Sequence, residues 1–143
     1  LLAPGSMFGR HDPALPLRGW PMFASNLEAL RRSSGAAWVG TTSYGLASEL
    51  ADEPEQHSPV IQLAERARWR GLPRSAPGLL GQSGLVVDLP RRLSGVNLIG
   101  CFSDVKPLGL IARGDLGEPG KAYVVFQVAG AKVDLLTDGC PGL

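Results

Sequence analysis

From Trp20 onward the apolar side chains Trp20, Phe23, Ala24, Leu27 and Leu30 recur at i, i+3, i+4, i+7 and i+10, the spacing that lines one face of an α-helix. Pro21 suits a first turn, whose N–H groups have no intrahelical partner, and Gly35 suits a left-handed stop, so a helix is expected between them. The pattern then changes. Ala36 to Thr41 is a short apolar run with strand-forming residues, and Tyr44 to Ala51 returns to helical composition. Pro59 to Leu63 and Gly84 to Leu89 are two more continuous apolar runs, of the kind that parallel strands show when both faces are covered. Val105 to Ile111 and Ala122 to Val128 flank a Gly- and Pro-containing turn, which predicts an antiparallel hairpin, with Val133 to Leu136 as an extension.

Together these elements predict an α/β fold: a three-layer α/β/α sandwich whose mixed sheet has parallel first strands and a C-terminal antiparallel hairpin. One core is expected from Trp20, Phe23, Leu27, Leu30, Trp38, Val39, Val60, Ile61, Val86 and Val87. Residues 1–17, with three prolines and two glycines, read as a linker. Residues 18–138 then form the domain and 139–143 a tail.

Composition narrows the function classes. A chain of 143 residues with 44% hydrophobic positions fits one globular domain. Its 19 glycines and 12 prolines follow no period and therefore mark turns. Fourteen Lys and Arg against 13 Asp and Glu leave a net charge of +1, which gives no global electrostatic case for nucleic-acid binding. The longest uncharged stretch, Ser33 to Ser48, is too short and too hydroxyl-rich to span a bilayer. Cys101 and Cys140 have no C-x-x-C spacing; one bridge between them is open. The chain begins at Leu1-Leu2 without a secretory pattern, as expected for a piece cut from something larger.

Catalytic and ligand motifs are sparse. The glycines at 78, 81 and 84 follow G-x-x-G-x-x-G spacing, precede a strand rather than a helix, and lack a following lysine; a surface loop is expected instead of a phosphate loop. No G-x-S-x-G elbow occurs, and His11 and His57 lie in a Pro-rich lead-in and a polar turn, so neither a hydrolase triad nor a metal site is expected. No cofactor is implied. Glu49, Asp52, Glu53 and Glu55 form an acidic cluster, with Glu49 and Glu53 on one face if the helix persists. Tyr44 and Glu49 are its candidate polar pair. Carboxylate pairs can do acid–base work, but a solvated helix end and turn is the favoured reading, because charge runs usually face water. Between residues 65 and 92, Arg66, Arg68, Arg70, Arg74, Arg91 and Arg92 face only Glu65 and Asp88, a local excess of four positive charges. Arginine forks suit phosphate groups, including lipid headgroups, and Trp69 among them suits a membrane interface. Arg66, Arg68, Trp69, Arg70 and Arg74 are thus candidate lipid- or substrate-facing residues, the alternative being a solvated loop.

The order of several segments has a further implication. Leu17-Arg18-Gly19-Trp20 before the first helix, Ala37-Trp38-Val39 in the first strand and Tyr44-Gly45-Leu46-Ala47-Ser48-Glu49-Leu50 in the second helix are followed by Phe102-Ser103-Asp104-Val105-Lys106-Pro107-Leu108-Gly109 and Tyr123-Val124-Val125-Phe126. This succession, over residues 12–136, resembles the C-terminal soluble domain of multi-spanning glycosyltransferases related to dolichyl-phosphate-mannose protein mannosyltransferases and lipid A aminoarabinose transferases. Where that family carries an aromatic, apolar stretch, this chain has Ala51-Asp52-Glu53-Pro54-Glu55.

The resemblance implies a parent enzyme that moves a sugar from a polyisoprenyl-phosphate carrier to an acceptor at the outer face of the cytoplasmic membrane. The family's catalytic carboxylate lies in a loop of the membrane part that no residue here matches, so the implied role of this domain is positional. Its implied partners are the membrane part of its own chain and anionic or polyisoprenyl-phosphate headgroups, at an extracytoplasmic, periplasmic location. The competing expectation is a free-standing α/β enzyme or ligand-binding domain, with its site at the carboxyl ends of the parallel strands, in the loops after Thr41 and Leu63.

Overall fold

The structure, a computed structural model, describes residues 19–63, 81–93, 98–114 and 121–132. Helix α1 spans Trp20–Ser34, β1 Trp38–Thr41, α2 Tyr44–Asp52, β2 Val60–Gln62, β3 Gly84–Asp88, β4 Phe102–Arg113 and β5 Lys121–Ala131. All seven fall on segments that the hydrophobic pattern marks. The hairpin strands are longer than their apolar stretches because the ladder, once started, pairs polar residues too: Phe102 lies opposite Ala131 and Arg113 opposite Lys121. Val133 to Leu136 lie outside the described residues.

The five strands form one mixed sheet in the order β2-β1-β3-β5-β4. Strand β1 pairs in parallel with β2, Val39 opposite Val60, and with β3, Val39 opposite Leu85. Strands β3 and β5 are antiparallel, with Asp88 opposite Val124. Every residue of β1 and β3 is buried, which explains their unbroken apolar sequence. Strand β4, at an end of the described sheet, is mostly exposed and carries Pro107 next to a register shift before Gly109. Both features suit an outer strand, where a lost N–H donor costs little.

Successive side chains of a strand point to opposite faces, and the apolar residues accordingly form two clusters. On one face Trp20, Phe23, Ala24 and Leu27 of α1 and Leu46 and Leu50 of α2 pack on Val39, Leu85, Val87, Tyr123 and Val125. On the other face Trp38, Ile61, Val86, Phe126 and Val128 pack with Leu93, Leu98, Cys101 and Phe102. The single core expected from sequence is therefore two half-cores separated by the sheet. Leu30 and Val60 sit only partly buried at the margin of the first. Both α1 and α2 cover the same face, so among the described residues the third layer of the expected sandwich is not established.

Local chemistry fixes the helix ends. Gly35 adopts φ +76°, and its N–H and that of Ala36 donate to the carbonyls of Arg32 and Arg31, closing the helix with a left-handed cap. Arg31 and Arg32 sit in the last turn, where cations complement the helix dipole. Helix α2 starts from Ser43, whose Oγ accepts from the Leu46 N–H at 3.3 Å, a conventional N-cap. It ends at Asp52, so Glu53 is the cap residue and not a member of a continued acidic face.

Two buried polar centres hold the elements together. Glu28, only 2% exposed, accepts from Arg31 Nη2 at 2.9 Å, from Gln56 Nε2 at 2.9 Å and from Ser58 Oγ at 2.6 Å. It thereby ties α1 to the turn before β2. Burial opposes ionisation of Glu28, but the hydrogen bonds from Arg31 and Ser58 and the charges of Arg31 and Arg32 outweigh it, so its carboxyl titrates below the ordinary value. Asp88, the second centre, lies at the site described next.

The glycine-rich segment before β3 has a packing role where the structure describes it. A Cβ on Gly84 would lie 2.1 Å from Cε2 of Trp38, so the indole ring rests directly on the glycine backbone. The Trp38 Nε1–H donates to the Gln82 carbonyl at 3.0 Å, and the Ala37 N–H to the Ser83 carbonyl at 2.7 Å.

Candidate functional site

A cleft of about 340 Å³ opens at the carboxyl ends of β1 and β3. Strand β1 connects onward to β2 on one side while β3 lies on its other side, which makes this end the switch point where open α/β sheets leave a crevice. The loop after Thr41 contributes Ser43, Gly45, Leu46 and Glu49 of the α2 start, and the end of β3 contributes Asp88 and Leu89. The hairpin and α1 close the remaining side.

Asp88 organises the base of the cleft. It is 1% exposed. Its Oδ2 accepts from Thr41 Oγ1 at 3.2 Å, from the Thr42 N–H at 3.1 Å and from the Thr42 hydroxyl, while Oδ1 accepts from the Leu89 N–H at 2.7 Å. The carboxylate thus binds the end of β1 to the end of β3 and fixes the approach to α2. Its oxygens are occupied by these donors, which gives Asp88 a structural task.

Among the described residues four cations line the opening. Arg91 and Arg92 follow β3 and are exposed, while Arg113 and Lys121 are register partners at the end of the β4–β5 hairpin. Arg113 is 7% exposed, and its guanidinium carbon stands 4.4 Å from the centre of the Trp20 ring, a cation–π geometry. Trp20 is itself set by an edge-on contact with Phe23, 5.8 Å between centroids, and Phe23 by Tyr123 at 4.8 Å. Among the described residues Glu49 is the half-buried carboxylate on the wall. With Asp88 committed to its donors, the described lining presents a mainly cationic face bordered by Trp20 and Tyr123.

The sequence-level candidates divide. Glu49 lines the cleft; Tyr44 opens α2, but its side chain lies outside the described residues. Arg66, Arg68, Trp69, Arg70 and Arg74 also lie outside them, as does His11. Arg91 and Arg92, from the same basic stretch, reach the cleft, whereas Arg113 and Lys121 were missed because the hairpin that returns them is a long-range pairing. Of the two loops expected to hold a site, that after Thr41 lines the cleft, together with the loop after Asp88; the residues following Leu63 lie outside the described set.

In the acidic turn, partial burial and the neighbouring charges of Glu55, Glu49 and Asp52 raise the Glu53 carboxyl above its ordinary value, whereas sequence alone predicts plain solvated carboxylates. His57 is exposed. Among the described residues no group of three or more His, Cys, Asp or Glu is placed to hold a metal ion, and no helix is long and apolar enough to cross a membrane. No protein-family model, curated protein or solved structure matches the chain.

Proposed function

We propose that this chain is the extracytoplasmic domain of a membrane glycosyltransferase that moves a sugar from a polyisoprenyl-phosphate carrier to an acceptor, and that its cleft-bearing end faces the membrane part of the enzyme. One observation supports this above others: segments that carry the sequence resemblance, far apart in the chain, contribute Trp20, Gly45, Leu46, Glu49 and Tyr123 to a single cleft. Cys101 is disulfide-bonded, which suits the oxidising side of a membrane. The domain's role is positional. It covers or orients the carrier's polar end while the reacting carboxylate belongs to another part of the enzyme.

The test is the parent reading frame and its activity. Several apolar spans of about 20 residues upstream of Leu1 are expected, and deletion of residues 19–132 from the parent should abolish sugar transfer while leaving the spans inserted. A start codon immediately before Leu1, or full transfer after the deletion, would defeat the proposal.

The location of the cleft at the sheet's switch point supports a second reading, a free-standing α/β enzyme or ligand-binding domain. In that case the purified chain should turn over a polyisoprenyl-phosphate sugar or an ester, and Glu49→Gln should abolish the turnover. The transferase-domain reading expects no turnover from the purified chain.

A further inference from the structure

We infer that the cleft binds a phosphate group carried on a small polar body, as in a sugar phosphate, with the exposed Arg91, Arg92 and Lys121 as its recognition residues. This goes beyond the transferase reading and does not depend on it, since it concerns what the chain itself binds. The cations come from two directions, the loop after β3 and the end of the β4–β5 hairpin. A carboxylate is planar and is satisfied by one guanidinium fork, whereas a phosphate offers acceptor oxygens in several directions and a charge near −2, which suits cations converging from separate elements.

The site is built into the fold as well as displayed on its surface. Arg113 is 93% buried by its 7% exposure and is seated on the Trp20 ring. Arg91 and Arg92 are exposed beside it, long enough to fold over a ligand once one arrives. The N–H groups at the start of α2, beside Ser43 and Gly45, add a favourable dipole at the same place.

Size and lining restrict the class further. A volume of about 340 Å³ stands at the small end of ligand sites, which span about 300–1,000 Å³. It accommodates a monosaccharide phosphate and is too small to enclose a dinucleotide. Glu49, half-buried on the wall, is an acceptor for the hydroxyls of such a body. The same phosphate chemistry has two sources, a free sugar phosphate or the headgroup of a polyisoprenyl phosphate, and both belong in the test.

The experiment is titration of the isotopically labelled 143-residue chain, followed by amide and indole NMR shifts, with inorganic phosphate, glucose 1-phosphate, and phosphatidylcholine vesicles with and without a short polyisoprenyl phosphate. Saturable binding is expected, weakening with added salt, with the shifts centred on Gly45, Leu46 and the Trp20 indole. Arg91→Ala combined with Arg92→Ala should weaken it by at least about tenfold. Arg32→Glu serves as the charge control, since it lies about 18 Å along α1 from Trp20 and should change affinity less than about twofold. If the double variant loses the folded spectrum, Lys121→Ala alone carries the comparison. Preference for glucose 1-phosphate assigns the free source, and binding confined to the phosphate-containing vesicles assigns the lipid source. Absence of saturable binding to every phosphate probe, shifts centred elsewhere, or undiminished affinity in the arginine variants would overturn the inference while leaving the parent-enzyme test unaffected.

Discussion

Asp88, the last residue of β3, accepts hydrogen bonds from both the backbone N–H and the hydroxyl of Thr42, the residue just past β1. A single carboxylate thus joins two parallel strands at the end where the cleft opens. Its removal strands buried donors from Thr41, Thr42 and Leu89. Asp88→Ala should lower stability by about 1.5–3 kcal/mol, the range for hydrogen bonds to a charged group, measured as the shift in urea midpoint. A change under about 0.5 kcal/mol would mean that water replaces the carboxylate at no cost.

Gly84→Ala tests the contact beneath Trp38. The added methyl would overlap an indole ring that its own hydrogen bond to Gln82 holds in place, so the ring cannot simply swing away. A loss of about 1–3 kcal/mol is expected, as for overpacked cores. In a Trp38→Leu background the same substitution should cost markedly less, and a double-mutant cycle measures that coupling.

Leu27 is fully buried between α1 and the sheet. Leu27→Ala should cost about 2–5 kcal/mol. The neighbouring position on the outer face gives the contrast: Met22 is 63% exposed, and Met22→Ala should stay within about 0.5 kcal/mol. Reversal of that order in denaturant melts would show that the helix presents a different face.

Glu28 predicts an acid-sensitive contribution. Its folded-state carboxyl titrates below the ordinary carboxylate value, so the charged form stabilises the fold at neutral pH and the contribution disappears as pH falls through the folded-state pKa. Glu28→Gln should therefore be less stable than the wild type at pH 7, by about 1–3 kcal/mol for a buried network left incomplete. The gap should narrow progressively on acidification below the unfolded-state value. Urea midpoints of both proteins across pH 7 to pH 3 check the sign, and a constant gap would contradict it.

The elements were legible because their signals are local. Five apolar residues at helical spacing, a Gly stop and three continuous apolar runs each report on a stretch of a few residues, and each lies where the structure has α1, β1, β2 or β3. What the pattern could not convey is which face a residue occupies: Trp38 and Val39 are adjacent and equally apolar, yet belong to opposite sides of the sheet. Glu28 was equally hidden, since a charged residue beside Leu27 reads as solvated until Ser58 and Gln56 are brought to it from the turn before β2. The cleft was half visible. Arg91, Arg92 and Glu49 belong to charge clusters that sequence alone picks out, but Arg113 and Lys121 join them only through the pairing of β4 with β5.

The start of α1 meets the end of the hairpin at Gly19 and Gly114: Gly19 has φ +79°, and a Cβ there would lie 2.6 Å from the Gly114 nitrogen. Neither partner contributes a side chain, so main chain sets how α1 and the hairpin, and with them Trp20 and Arg113, meet along one wall of the cleft. The junction under that wall is consequently insulated from ordinary side-chain substitution. Charges on the rim can be exchanged one at a time, while shifting this wall requires the backbone itself to be rebuilt. Divergent versions of this fold should therefore differ in rim charge long before they differ in the placing of this wall.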